Sequence, residues 1–139
     1  MIMNKKILCI GDSLALPRPN VPYEDTWIYL LKNQFPNFDY ITLFRRGITT
    51  NILVGADGND WLEYYMPNIV IMQLGIVDCA PRLIKEGLER KIVGKLPHSI
   101  ADKYINFLKT YRKRNPNNVY VSIQRFKENL RDYSHRCRN

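Results

Sequence analysis

The segment Gly11-Asp12-Ser13-Leu14 places a serine directly after a short apolar run, Ile7 to Ile10. A serine hydroxyl can attack a carbonyl carbon when a base removes its proton and N–H groups stabilise the oxyanion that forms. Asp12 and Ser13 can equally cap the next turn, because their short side chains accept hydrogen bonds from nearby backbone N–H groups. The segment therefore predicts either nucleophilic chemistry or a structural turn.

Two further apolar runs also end in polar segments. The run Tyr40 to Phe44 continues into Arg45-Arg46-Gly47, and the run Ile69 to Leu74 continues into Gly75-Ile76-Val77-Asp78 and then Arg82. Short apolar runs of this kind suit strands that are buried on both faces of a parallel sheet. The carboxyl ends of such strands lie at one edge, where ligands collect. We therefore expect the three polar segments to converge at that edge.

Helical patterns separate these runs. Residues Tyr23 to Phe35 carry apolar side chains at helical spacing. A turn-rich segment, Gly55 to Asp60, in which Asn59 is interpreted as a turn residue, precedes a short helical stretch from Trp61 to Met66. The alternation of strand and helix predicts right-handed crossovers and a parallel α/β sheet, in a single domain over residues 1–139.

Two more elements are expected in the second half. Ser99 to Asn115 has an apolar side, and Ser99 is its candidate N-cap. Val119 to Ile123 could form a fourth strand, but apolar residues at spacings of three and four favour a helix instead. We prefer a helix from about Ser122 to Cys137, with Ser122 as its N-cap.

These motifs resemble those of the SGNH, or GDSL, hydrolases. The segment CIGDSLALPR is similar to the first block of the family and RRGITT to the glycine loop of its second block, while IVIMQLGIVDCAPR stands in the place of the third block. The resemblance covers residues 5–82. It implies a flavodoxin-like three-layer α/β/α sandwich that acts on acyl or O-acetyl esters. By resemblance, Ser13 is the nucleophile, and the N–H groups of Ser13 and Gly47 belong to the oxyanion hole.

The third block departs from the family pattern. The family usually has Gly-x-Asn-Asp, whose asparagine supplies a third oxyanion donor, whereas this chain has Val77 at that place. Loss of one such donor costs about 100- to 1,000-fold in rate. Two functions stay open: ester hydrolysis through an acyl-enzyme on Ser13, or an SGNH-like module that binds a glycan, an acyl group or a protein partner without turnover.

No general base is identified. Family members end in Asp-x-x-His after the last strand, and Asp132 to His135 has this spacing, but the expected helix places His135 on its polar face. His98 precedes the helix that begins near Ser99, where a capping or surface role is expected.

The missing base and the length of the chain point to an incomplete domain. Family chains continue into two more strands, so the chain resembles their first two thirds, and the C-terminal strands are expected to be missing. Three strands with the first in the centre would leave the third as an apolar edge, so we expect self-association through this edge.

The pocket at the strand ends is expected to contain charged residues and small residues. Its expected members are Asp12, Arg45, Arg46, Gly75, Val77, Asp78 and Arg82. The arginines could hold an anionic or sugar-bearing substrate, or they could pair with acidic neighbours such as Asp12 and Asp78.

Composition narrows the partners and the compartment. The 139 residues are 45% hydrophobic and 24% charged, and they contain neither the run of about 18 apolar residues that spans a membrane nor the core of an export signal. Three cysteines in no metal-ligand spacing predict a cytoplasmic protein with reduced thiols, no metal and no cofactor.

The net charge of +8 is unevenly distributed along the chain. Residues 83–139 contain the excess of positive charge, with 14 Lys/Arg against 5 Asp/Glu. These charges are scattered, which favours a solvated surface over nucleic-acid binding.

Overall fold

A three-stranded parallel sheet forms the centre of the computed structural model, which describes residues 4–84, 87–114 and 116–138. The strands are β1 (Lys6–Gly11), β2 (Asp39–Phe44) and β3 (Ile69–Gln73), in the order β2-β1-β3. The predicted α/β class, the parallel strands and the central position of the first strand are confirmed.

Helices follow the strands in the predicted alternation. The helices of the described residues are α1 (Trp27–Gln34), α2 (Ala56–Tyr65), α3 (Ile76–Cys79), α4 (Leu88–Val93), α5 (His98–Tyr111) and α6 (Ile123–Arg136). Short 3₁₀ turns lie at Ser13–Ala15, Tyr23–Asp25, Thr50–Val54 and Arg112–Arg114. No helix in this part of the chain has the length and apolar character needed to cross a membrane.

Alternate residues of β1 fill two cores, one on each face of the sheet, because successive strand side chains point in opposite directions. One core consists of the buried residues Leu8, Ile10, Ile48, Leu53 and Tyr133. The other consists of Ile7, Cys9 and Ile28. The Thr50–Val54 turn and α6 contribute Leu53 and Tyr133 to the first core. Helix α1 contributes Ile28 to the second core. The chain therefore has three layers, with helices on both sides of the sheet.

Gly11 allows the chain to turn sharply at the end of β1. A Cβ atom at this position would lie 2.7 Å from the Cβ of Ala15 and 3.0 Å from a ring carbon of Phe44. The Gly11 carbonyl accepts a hydrogen bond from the backbone N–H of Arg45 at 3.0 Å. The turn that contains Ser13 thus folds tightly over the strand end.

Two predictions in the first half were wrong in detail. Helix α1 begins at Trp27 and not at Tyr23, because Thr26 is extended, with φ −78° and ψ 145°. Asn59 is helical and not a turn residue, since α2 includes most of the turn-rich segment. Gly58 is buried there, and the carbonyl oxygen of Leu53 lies 2.2 Å from the place a Cβ would occupy. Position 58 therefore has a glycine because the backbone of Leu53 packs closely against it, and not because the chain turns there.

Helix α5 also differs from expectation. It begins at His98, after Pro97 in the N-cap position, so Ser99 is not the cap. Its buried residues are Ala101 and Leu108, whereas the side chain of Phe107 is 53% exposed. The predicted end at Asn115 lies outside the described residues, and the regular helix ends at Tyr111.

The prediction of a last helix is confirmed. Ser122 caps α6, and its Oγ accepts a hydrogen bond from the backbone N–H of Arg125 at 3.2 Å. No strand forms over residues 119–123, all of which the structure describes. The predicted apolar stripe consists of Ile123, Phe126, Leu130, Tyr133 and Cys137. Its fourth residue, Tyr133, is fully buried, but its first, Ile123, is 70% exposed.

The outer edge of β3 is apolar. Within the described ranges β3 pairs only with β1, and the side chains of Ile69 and Met72 are 42% and 37% exposed. The chain exposes 9744 Å² of surface, whereas a compact monomer of 16.4 kDa exposes about 7,500 Å². Self-association through this edge stays a prediction.

Replacing the α6 cap should destabilise the fold. Ser122→Ala removes the acceptor for the Arg125 N–H and should lower the free energy of unfolding by about 1 kcal/mol, as measured by urea denaturation. Ser99→Ala is the matched control, because Ser99 lies inside a helix and should change stability by less than about 0.5 kcal/mol. Equal losses in both variants would contradict the capping role.

Candidate functional site

The parallel register aligns the ends of the three strands. Gly11 of β1 stands beside Phe44 of β2 on one side and beside Gln73 of β3 on the other. The backbone N–H of Asp12 donates to the Gln73 carbonyl at 3.2 Å, which extends the pairing by one residue. The three polar segments identified in the sequence therefore leave the sheet side by side.

A cleft of about 450 Å³ opens beside two of these segments, and we name it the strand-end cleft. It is lined by Arg45, Gly47, Ile48, Thr49, Asn51, Ile52, Val77, Arg82, Gly87, Glu89 and Tyr120. Four of the predicted site residues thus come together: Arg45, Gly47, Val77 and Arg82.

The other predicted residues lie outside this lining. Arg46 is exposed, and Gly75 and Asp78 border a separate groove with Phe126. Ser13 is half-buried at the start of its 3₁₀ turn and is not part of the cleft lining.

Asp12 has a structural role. Its side chain is buried, and Oδ1 accepts a hydrogen bond from the backbone N–H of Leu14 at 2.8 Å. It is the N-cap of the Ser13–Ala15 turn. The capping interpretation of this segment is thus correct for Asp12, while its neighbour Ser13 keeps its hydroxyl on a partly exposed turn.

Gly47 lines the cleft in a conformation that favours glycine. Its φ angle is 67°, in the left-handed region where a Cβ would be strained. This turn sends the chain back into Ile48 and Thr49, which are both buried. The glycine therefore lets a backbone segment approach the cleft closely.

A buried polar network fixes the segments that border the cleft. Oδ1 of Asp78 accepts hydrogen bonds from the backbone N–H of Thr50 at 2.9 Å and from its hydroxyl at 2.5 Å. Nδ2 of Asn129 donates to the Thr50 hydroxyl at 3.1 Å and to Oδ1 of Asn51 at 3.0 Å. Asp78, Thr50 and Asn129 are all buried. The network therefore joins the start of α3, the Thr50–Val54 turn and α6.

The arginines of the cleft do not pair with the acidic neighbours considered from the sequence. Asp12 and Asp78 use their Oδ1 atoms for backbone and hydroxyl donors. Among the residues that the structure describes, neither Arg45 nor Arg82 forms an ion pair. For Arg45 and Arg82, pairing with Asp12 or Asp78 is therefore not observed.

Sequence reasoning missed Tyr120 and Glu89 as site residues. The guanidinium carbon of Arg82 lies 4.7 Å from the centre of the Tyr120 ring, and the Tyr120 hydroxyl donates to Oε2 of Glu89 at 3.4 Å. Both residues lie far along the chain from the three strand ends. No short motif marks them, because Tyr120 meets Arg82 and Glu89 through the fold and not through the local sequence.

Neither histidine lines the strand-end cleft. His135 is exposed on α6 and borders a different, shallow depression together with Asn59, Asp132 and Arg136. His98 is exposed at the first position of α5. The geometry therefore associates His135 with α2 and not with the strand ends.

Cys9 is not a second nucleophile of this region. It is fully buried in the core of the sheet, and burial raises the pKa of its thiol to about 11, against the weaker opposite effect of the Lys32 charge. Since the thiolate is the reactive form, this cysteine stays inert near neutral pH.

Comparison with known proteins finds similarity to solved structures but not to curated protein sequences or family models. No protein-family model matches the chain, and no curated protein sequence matches it. The chain is similar to a solved structure assigned to the G-D-S-L family of lipolytic proteins, from Desulfitobacterium hafniense DCB-2, with 17% identity and a TM-score of 0.46 over 96% of this chain and 73% of that one. It is also similar to the psychrotrophic esterase EstA from Pseudoalteromonas sp., in a structure inhibited by monoethylphosphonate, with 20% identity and a TM-score of 0.45 over 97% and 74%.

Removing a hydrogen-bonding group from the buried network should lower the free energy of unfolding by more than removing a methyl group of similar size. Thr50→Val removes the hydroxyl that bonds Asp78 and Asn129 and should lower the free energy of unfolding by about 1–3 kcal/mol or more. Thr50→Ser keeps the hydroxyl and should lose only about 0.8 kcal/mol for its methyl group. Urea denaturation measures both. A valine variant at least as stable as the serine variant would show that the network is not stabilising.

Proposed function

We propose that this chain is a serine ester hydrolase, with Ser13 as the nucleophile. The observation that carries the proposal is the aligned register of Gly11, Phe44 and Gln73. The ends of β1 and β2 lie side by side. Ser13 comes two residues after Gly11, the last residue of β1, and Gly47 comes three residues after Phe44, the last residue of β2. A half-buried serine at the same sheet edge as a cleft that a small molecule could enter is compatible with acyl transfer.

The proposed reaction proceeds in two steps. The Oγ of Ser13 forms a bond to the ester carbonyl carbon while the carbonyl electron pair moves to oxygen. When this tetrahedral species collapses, the bond to the alcohol breaks, the alcohol takes up a proton, and an acyl-enzyme remains. Water then attacks the acyl group, releasing the acid and restoring the Ser13 hydroxyl.

The N–H groups of Ser13 and Gly47 are the proposed oxyanion donors. Gly47 supports this role because it lines the cleft and its left-handed backbone lets a peptide group approach a ligand without a side chain in between. Val77, which also lines the cleft, has no hydrogen-bond donor in its side chain. We therefore expect slow turnover.

The proton of Ser13 is proposed to pass to solvent. Both His98 and His135 are exposed and lie outside the cleft lining, so neither is assigned as the base. With hydroxide as the base, the Ser13-dependent rate should rise with pH and should not level off near pH 6.5, the usual pKa of histidine.

Val77 favours a second candidate function, a binding module that keeps the cleft but does not turn over an ester. Val77 is only 6% exposed and places an apolar wall where an amide donor would assist the reaction. Ligand-induced stabilisation of the chain without any Ser13-dependent hydrolysis would favour this function over the hydrolase.

Ser13 should be the residue that reacts with an activated phosphonate. A fluorophosphonate should label the wild type and the control Ser99→Ala, whose serine lies on exposed α5, but not Ser13→Ala. Hydrolysis of p-nitrophenyl acetate should likewise be lost in Ser13→Ala and retained in His98→Ala and His135→Ala. Unchanged labelling of Ser13→Ala would refute the assignment, and loss of activity in a histidine variant would refute the solvent base.

An amide at position 77 should accelerate the reaction. Val77→Asn introduces a side-chain N–H donor into the cleft lining and should raise the rate constant for p-nitrophenyl acetate, up to the roughly 100- to 1,000-fold that one oxyanion donor contributes. Val77→Ala, which adds no donor, is the control and should stay slow. Similar rates in both variants would mean that position 77 does not face the developing oxyanion.

A further inference from the structure

Arg82 is held firmly in the wall of the strand-end cleft. Its backbone N–H donates to the Asn118 carbonyl at 2.7 Å, and its own carbonyl accepts from Nδ2 of Asn118 at 2.6 Å. The guanidinium group lies 4.7 Å from the ring centre of Tyr120. A cation held over an aromatic ring keeps its N–H groups available for an acceptor, and restricting its motion lowers the entropy lost on binding.

The Nε atom of the Arg82 guanidinium group lacks an acceptor among the described residues. Nε of Arg82 is buried and has no hydrogen-bond partner within the described part of the chain. A buried donor without a partner costs free energy, and a charged acceptor entering the cleft would remove that cost. Such an atom therefore points to a ligand with an oxyanion.

The charges of the cleft lining also favour an anion. The described lining contains two arginines, Arg45 and Arg82, and one acidic residue, Glu89, whose Oε2 accepts a hydrogen bond from the Tyr120 hydroxyl. The nearby carboxylates of Asp12 and Asp78 have backbone and hydroxyl donors instead of arginines. The positive charge of the cleft is thus available to attract a negatively charged molecule.

We infer that the strand-end cleft binds a carboxylate, and that the substrates are small esters with a carboxylate in their acyl or alcohol part. The two oxygens of a carboxylate match the paired N–H groups of a guanidinium group. A volume of about 450 Å³ suits a small molecule. The statement about esters rests on the proposed function, whereas carboxylate binding does not.

Calorimetric titration of the full chain tests the binding. Monomethyl glutarate, which carries one carboxylate, should bind, and binding should weaken as salt is added. Dimethyl glutarate has the same skeleton without the charge and should bind at least about tenfold more weakly, in line with the strength of charge-assisted hydrogen bonds. Equal binding of the two esters would overturn the inference.

Variants identify the residues responsible. Arg82→Gln should weaken binding of monomethyl glutarate about tenfold or more, and Arg82→Lys should also weaken it, because an ammonium group lacks the planar pair of donors. Arg45→Gln is the second variant, since Arg45 is exposed and its replacement leaves the fold intact; it should weaken binding by a smaller factor. Arg131→Gln, on the exposed face of α6, is the control and should bind as the wild type does. Wild-type affinity in both Arg82→Gln and Arg45→Gln would overturn the inference.

Turnover distinguishes the two possible positions of the charge and separates this inference from the proposed function. Mono-p-nitrophenyl glutarate carries the charge in its acyl part, 4-acetoxybenzoate carries it in its alcohol part, and p-nitrophenyl butyrate is neutral. Faster hydrolysis of one charged ester than of the neutral ester, lost in Arg82→Gln, supports the inference. It also shows whether the substrate carboxylate belongs to the acyl part or to the alcohol part. If the neutral ester is hydrolysed as fast as the charged esters, the statement about substrates is refuted. Arginine-dependent binding without labelling of Ser13 would keep the carboxylate site and reject the hydrolase.

Discussion

The buried carboxylate of Asp78 is the constraint on which the region around the cleft depends. Leaving water costs a carboxylate several kilocalories per mole unless donors replace the lost hydration. Two donors of Thr50 meet its Oδ1, and Asn129 meets the same hydroxyl from α6. The buried Oδ2 of Asp78 has no hydrogen-bond partner among the described residues. Because Asp78, Thr50 and Asn129 come from segments far apart in the chain, the hydrogen bonds on the Oδ1 side determine how α3, the Thr50–Val54 turn and α6 sit together.

The same hydrogen bonds leave the cleft arginines without a direct partner in either aspartate. Asp78 accepts from Thr50, and Asp12 accepts from the N–H of Leu14. Arg82 is supported by the aromatic ring of Tyr120, and it forms no ion pair within the described ranges. An aromatic ring holds a cation without cancelling its charge, so the cleft can be both ordered and positively charged.

The sheet could be predicted from the sequence because its signals are local. The apolar runs that end at Ile10, Phe44 and Leu74 show where three strands stop, and parallel strands place such ends at one edge. Of the three, only β1 is buried, whereas β2 and β3 are partly exposed. The α6 cap was also predictable, since Ser122 acts on a residue only three positions away. These features depend on a few consecutive residues.

The contents of the cleft could not be predicted in the same way. Tyr120 reaches Arg82 and Glu89 only through tertiary packing. The turn-like composition around Asn59 was overridden when Gly58 packed against Leu53. The choice between substrate and acidic partners for the arginines depended on hydrogen bonds across the fold. Residue type and spacing do not record such contacts.

The tight packing at Gly11 has a consequence for how this chain can vary. The space beside its Cα is filled by Ala15 and Phe44, and neither atom belongs to a long, flexible side chain. Replacement by even the smallest chiral residue would push the following turn away from the sheet. Among sequence variants that retain the shape of this edge, we expect position 11 to be nearly invariant, although glycine itself has no group that could take part in a reaction.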